Sequence, residues 1–293
     1  MTSAVDGLKQ RFMDMSQPDA DGVYRNGAAK RKARTDLAMD CLKQLWQEAC
    51  QTVSFDVPQA GIGLGAVGSL ARGQVGPSSD LDLVVIYEPH VSILERWRRA
   101  ARKRLPELLG SAKSRLDEFG RMAYSNQPDI KESRGGLRDS VLVSALAASW
   151  LADRPHGQYD DAVERLLDVR DCIHLVANKD TNMLLAPYQA KVSAMLGLAD
   201  PTLPNGEREA KSIDDLQTLL ARVGRQIAFS LDSTASRAEH SLTHEKPRFA
   251  FFQVFQPRGG GKRQAPTFDV IAPGIAKHEE EIVLAPGADP KSD

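Results

Sequence analysis

At roughly 100–200 residues per domain, a chain of 293 residues has room for one or two domains. Its 42% apolar and 26% charged residues allow a substantial core, and 38 Lys+Arg against 39 Asp+Glu leave a net charge of -1, which argues against a generic nucleic-acid binder. The chain has no apolar run long enough for a membrane span and no signal-peptide plan at its start. Its cysteines, Cys41, Cys50 and Cys172, lack metal-type spacing and fit a reducing cytoplasm.

In chain order, residues 27–51 set Leu37, Cys41, Leu42 and Leu45 near helical spacing and predict a helix, with a turn near Pro58. The period then changes. AGIGLGAVG (60–68) and LDLVVIY (81–87) read as strands, separated by the polar, glycine-rich SLARGQVGPSSD (69–80). From residue 91 to about 236 the strand signal nearly vanishes, and residues 93–109, 111–122, 137–152, 158–177, 180–196 and 211–235 read as helices broken at Gly and Pro. Beyond 236, QPRGGGKRQAP (256–266) reads as a flexible basic loop. FDVIAP (268–273) and EEIVLAP (280–286) read as two short strands around a turn at Gly274.

The segment richest in chemistry is Gly68-Ser69, ten residues, then Asp80-Leu81-Asp82 at the head of an apolar strand. Side chains alternate along a strand, so Asp80 and Asp82 are expected on one face while Leu81 and Leu83 enter the core. Adjacent carboxylates repel each other, and a hard divalent cation relieves that repulsion; Mg²⁺ is commonly held by one or two carboxylates plus phosphate oxygens and water. Gly68 lets backbone approach a ligand. Ser69 and the start of the short helix SLARG are expected to hold phosphate oxygens, with Arg72 as a charge-assisted partner. Taken together, these features predict a nucleoside-triphosphate site.

This G-S-x10-D-x-D pattern resembles the nucleotidyltransferase superfamily, which includes the DNA polymerase β-like enzymes. Three blocks narrow the likeness: GAVGSLARGQVGPSSDLDLVVI (65–86), PDIKESRGGLRD (128–139) and LLDVRDCIHLVANKDTNMLL (166–185) resemble, in the same order, the bacterial protein-PII uridylyltransferase family. The tail IAPGIAKHEEEIVLAPGADP (271–290) resembles that family too. The resemblance implies Mg²⁺-dependent transfer of a nucleoside monophosphate from UTP, or ATP in some relatives, to a tyrosine of a PII signalling protein. Asp80 and Asp82 would hold the metal, and Gly68, Ser69 and Arg72 the triphosphate. Lys131, Arg134, Arg138 and Asp139, in the second block, would face the nucleotide or the PII loop, Lys131 and Arg138 as nucleotide-binding residues; the alternative is an ion-paired interdomain turn whose glycines serve backbone geometry.

The family's third metal-binding carboxylate, borne on a further strand, has no counterpart between Asp82 and Pro128. Glu88, Glu95, Asp117 and Glu118 are the candidates by position, and none matches the pattern. SILERWRRAARKRLPELL (92–109) resembles the helix that normally follows the absent strand, so the join at Pro89–Val91 reads as an internal deletion or a misassembled gene model. That predicts impaired chemistry. Family members continue into an HD-type phosphohydrolase and sensing domains, but no His-Asp dipeptide occurs in these residues, so deuridylylation is not expected of them. The histidines, His174 included, read as satisfied or solvent-facing. His174 and Asp171, on the helix 158–177, could approach the substrate cleft, but packed core is the preferred reading there, and the basic run 95–104 reads as a solvated helix face.

The expected fold class is α+β: a partial nucleotidyltransferase (polymerase β-like) α/β core over 26–90, a helical domain over 91–240, and a linker with a short β tail over 241–293. The leading expectation is a cytoplasmic protein-PII nucleotidyltransferase using Mg²⁺ and UTP or ATP, with no membrane or nucleic-acid partner. The alternatives are a non-catalytic remnant that binds nucleotide or PII, and a nucleotidyltransferase with another acceptor.

Overall fold

A computed structural model describes residues 7–52, 62–87 and 93–243, and the strand residues 269–272, 275–278 and 281–284. The turn near Pro58, the join at 89–91, Glu88 and the basic loop 256–266 lie outside the described residues. The chain divides into two units, Met1–Glu245 and Lys246–Asp293.

The first unit opens with a short helix, α1 (Leu8–Asp14), that the sequence reading did not anticipate. The long helix α2 (Gly27–Thr52) follows, matching the predicted one. Two five-residue strands, β1 (Ile62–Ala66) and β2 (Leu83–Tyr87), pair antiparallel with Leu64 opposite Val85. Between them sits the one-turn helix α3 (Gly68–Ala71). Leu8, Phe12, Ala38, Cys41, Leu42, Leu70 and Val75 form a small core here, and Leu64, Ala66 and Leu81 pack against it. Leu81 turns inward as expected. Leu83 does not: it is 39% exposed, with Val84 at 38% and Val85 at 51%. Neighbours that alternate across a strand are all exposed only when neither face is fully covered.

The rest of the unit is helical: α4 (Ile93–Phe119), a 3-10 turn at Met122–Tyr124, α5 (Leu137–Ala148), α6 (Gln158–Ala177), α7 (Ala186–Met195) and α8 (Asn205–Thr243). The expected break at Gly110 is absent, and α4 runs on through Pro106 as well. Proline and glycine weaken a helix, but Ala101, Leu105 and Ala112 on one face are buried in the main core, and that packing outweighs the propensity. Residues Leu216, Leu220, Val223, Ile227 and Leu231 form the buried stripe of α8, spaced three or four apart. The basic run of α4 is a solvated face, as expected, with Arg99 paired to Glu95. Arg98 instead stacks on the Trp150 ring at 3.6 Å.

In the second unit, β3 (Asp269–Ala272), β4 (Ile275–His278) and β5 (Glu281–Leu284) form an antiparallel three-stranded sheet in the order β3-β4-β5. The residues after Gly274 therefore form a central strand, where the sequence reading saw only two strands. Among the described residues, no helix is long and apolar enough to cross a membrane.

Candidate nucleotide site

Three segments far apart in sequence converge on one cavity of about 290 Å³ in the first unit. The first runs from Gly68 to Asp82. Gly68 has φ +62°, and a Cβ on it would overlap the Asp82 carboxylate, so glycine is needed for both its backbone and its missing side chain. The Val67 N–H donates to Asp82 O at 3.0 Å, closing the segment on itself. Two anchors hold the intervening loop. Arg34 Nε, on α2, donates to Val75 O at 2.8 Å, and the Ser78 N–H donates to His174 Nδ1, on α6, at 3.3 Å. Gly68, Ser69, Arg72, Asp80 and Asp82 all line the cavity.

The second segment is the loop into α5. Asp129 Oδ1 accepts the N–H groups of Lys131 and Glu132 at 2.8 and 2.9 Å, and the Leu137 and Arg138 N–H groups return to Ile130 O and Lys131 O at 2.9 Å each. Lys131 and Arg138 line the cavity, and Arg138 is also paired with Glu132 at 2.9 Å. Arg134 and Asp139 do not line it. Asp139 is buried and accepts from Arg115 at 2.9 Å and the Gly135 N–H at 2.8 Å, while Arg134 pairs with Asp232 on α8. Gly135, at φ +86°, lies so close to Gly224 of α8 that a Cβ would overlap the Gly224 carbonyl. Gly135 and Gly224 make a tight joint between this loop and α8, and Arg134, paired with both Asp139 and Asp232, bridges it.

The third segment is α6 with the loop after it, contributing Arg170, His174, Asp180 and Asn182. Arg170 and His174 are four apart and share a helix face. The Ile130 N–H donates to Asn182 O at 2.9 Å and the Leu184 N–H to Pro128 O at 3.0 Å, so the second and third segments are stitched together. His174 is wholly buried. Its Nδ1 accepts from Ser78, which leaves the proton on Nε2. That atom is 3.2 Å from Asp180 Oδ1 but makes no hydrogen bond. Burial pushes the His174 pKa down, while the His174 contact lowers that of Asp180.

Sequence reasoning missed Arg170, Asp180 and Asn182, and weighed His174 only to prefer a packed-core role for it. Among the acids considered for a third carboxylate, Glu95, Asp117 and Glu118 lie on α4 and do not line the cavity; Asp180 does. Among the described residues, no group of three His, Cys, Asp or Glu side chains is placed to hold a metal ion. Asp80 and Asp82 remain a pair of hard oxygen donors, a set suited to Mg²⁺ completed by phosphate oxygens and water.

Asp80 and Asp82 line this cavity together with Arg72, Lys131, Arg138 and Arg170, and residues 42–143 match the model of the nucleotidyltransferase domain. Residues 103–228 match the GlnD PII-uridylyltransferase model, and the matched relatives are covered in their N-terminal part. A bifunctional uridylyltransferase/uridylyl-removing enzyme of Streptomyces coelicolor is 28% identical, covering 92% of this chain and 38% of that protein. Its Mycobacterium tuberculosis namesake is 30% identical over 78% of this chain and 26% of its own length. That of Corynebacterium glutamicum is 27% identical over 55% of this chain and 32% of its own. The chain thus spans less than two fifths of the length of these relatives. No solved structure matches.

Proposed function

We propose that this chain binds UTP or ATP in the cavity between the Gly68–Asp82 segment, α5 and α6 and transfers the nucleoside monophosphate to a tyrosine of a PII signalling protein in the cytoplasm. The phenolic oxygen attacks the α-phosphorus, the bond to the bridging oxygen breaks, and pyrophosphate leaves. Asp80 and Asp82 would hold Mg²⁺, which when bound neutralises phosphate charge as pyrophosphate departs. Gly68 and Ser69 seat the triphosphate against the loop. Arg72, on the same segment, and Lys131 and Arg138, from the loop into α5, counter its charge through charge-assisted hydrogen bonds. The observation that carries this reading is the convergence of three separate segments, each resembling the same family, on one cavity that sets carboxylates against cations.

A second reading, nucleotide binding without turnover, draws on a specific observation: no third donor joins Asp80 and Asp82 among the described residues. One experiment separates the two. The full chain is incubated with labelled UTP or ATP, Mg²⁺ and PII, beside an Asp80→Asn/Asp82→Asn variant. Label on PII with the native chain and none with the variant supports transfer. Nucleotide binding with no label on PII supports the second reading and ends the first.

A further inference from the structure

Arg170 and Asp171 are adjacent on α6, and neither entered the sequence-based site. Both are buried, Arg170 at 6% and Asp171 at 0% exposure. Asp171 has two distinct sides. Its Oδ1 accepts from Arg170 Nε at 3.2 Å and Nη2 at 2.8 Å. Its Oδ2 accepts from the Tyr24 hydroxyl at 2.8 Å, Arg31 Nη1 at 3.2 Å and Arg34 Nη2 at 2.7 Å. A guanidinium carries five N–H donors in a fixed plane. Once Asp171 fixes one edge of Arg170, the direction of the remaining donors is set, and the cavity is what the side chain lines.

We propose that Arg170 binds the polyphosphate of the nucleotide, and that Asp171 is the positioning residue that aims it. The inference rests on the nucleotidyltransferase reading of the same cavity and extends that site to the helical wall.

Two observations point to an anion at this place. Arg72 holds its proton less tightly than an ordinary arginine, first because it is partly desolvated and then because Arg170 and Arg138 lie near it, with Asp82 opposing. Arg72, Arg138 and Arg170 all line the same cavity, and like charges gathered in a low-dielectric pocket are relieved by a bound anion. The second observation is how firmly the Asp171 charge is kept. Burial works against ionisation, but Arg170, Arg34 and Arg31 overcome it and hold the carboxyl at about 2, so the tether persists across the physiological range. Arg34 also donates to Val75 O in the loop leading to Asp80. The one carboxylate therefore registers Arg170 against the segment that carries the aspartate pair.

Were Arg170 merely the partner of a buried acid, its loss would lower stability and leave anion affinity alone. Calorimetric titration of the full chain with Mg²⁺ and either UTP or inorganic tripolyphosphate separates these cases. Arg170→Gln is expected to weaken both ligands in parallel by about tenfold or more, the scale of hydrogen bonds to charged groups. A selective loss of UTP affinity, or no loss, would overturn the assignment. Asp171→Asn is expected to weaken tripolyphosphate binding in the native background and to add nothing beside Arg170→Gln. Additive losses would make Asp171 structural only. If circular dichroism shows Asp171→Asn unfolded, Asp171→Glu, which keeps the charge and displaces the tether, takes its place under the same criterion. If the native chain binds neither ligand, the nucleotide reading itself fails, a result distinct from native binding that Arg170→Gln leaves intact.

Discussion

His174 sits fully buried between the loop before Asp80 and the loop carrying Asp180. Burial disfavours its cationic form, with Arg170 adding to the effect and Asp180 and Asp171 opposing it, and the net result is a pKa below 6.5. The unfolded chain therefore takes up a proton here at a higher pH than the folded one. Stability contributed by neutral His174 is complete above about pH 6.5 and declines as pH falls below it, at up to about 1.4 kcal/mol per pH unit for one proton. Urea unfolding at pH 7.5, 6.5 and 5.5 should show this decline, and His174→Gln should flatten it over that range; an equal decline in both proteins would remove His174 as its cause. Residues of this kind were hard to read from sequence. Asp80 and Asp82 announced themselves through spacing, and Gly68 through its place beside Ser69. Arg170, His174 and Asp180 lie in a block that the sequence already marked, 166–185, but nothing in it singled them out, because what draws them to the cavity is the packing of α6 against two loops. The block 128–139 was legible only in part: Gly135 abuts Gly224 of α8, Gly136 lies against carbonyls of its own loop and Asp139 is ion-paired with Arg115 and Arg134, whereas Lys131 and Arg138 line the cavity.

At the scale of elements, long amphipathic helices were the most readable. α2 and α6 fall within a residue of their predicted bounds, because their apolar periodicity and flanking breakers agree. α4 and α8 run longer than predicted, since tertiary burial carries them through positions where propensity alone would stop. The sheet is the exception in kind. A two-stranded sheet is marginal without a covered face, and β2 exposes Leu83, Val84 and Val85 together. The expectation that Leu83 enters a core presupposed further strands beside it. Val84→Thr and Val85→Thr are accordingly expected to change stability by no more than about 0.5 kcal/mol, as surface substitutions do. Val75→Ala, at a site with no exposed surface, should cost about 1–2 kcal/mol or more. Chemical denaturation of the three variants makes the comparison; a large loss from the Val84 or Val85 change would show that the strand has a covering partner in solution.

For the molecule as a whole, the exposed strand and an aspartate pair joined by no third donor among the described residues bear on one question, whether a stretch is missing beside them. The alignment to the Streptomyces coelicolor relative extends over 333 positions, more than the 293 residues of this chain, so that relative carries residues inside the aligned span that have no counterpart here. The Mycobacterium tuberculosis alignment, 238 positions over 78% of the chain, shows no comparable excess, which makes the Streptomyces protein the informative donor for a test. We infer that the missing stretch falls at Pro89–Val91, between β2 and α4, where the sequence reading put the join. A further strand there would cover Leu83, Val84 and Val85 and supply the acid that completes the Asp80–Asp82 pair. A chimera carrying the Streptomyces segment at this join is therefore expected to unfold at a higher temperature and to transfer label to PII faster than the native chain. Those two readouts test different halves of the inference. A rise in melting temperature without added transfer would keep the strand and discard the acid. A folded chimera that gains neither would place the missing residues elsewhere and leave the exposed face of β2 a native feature.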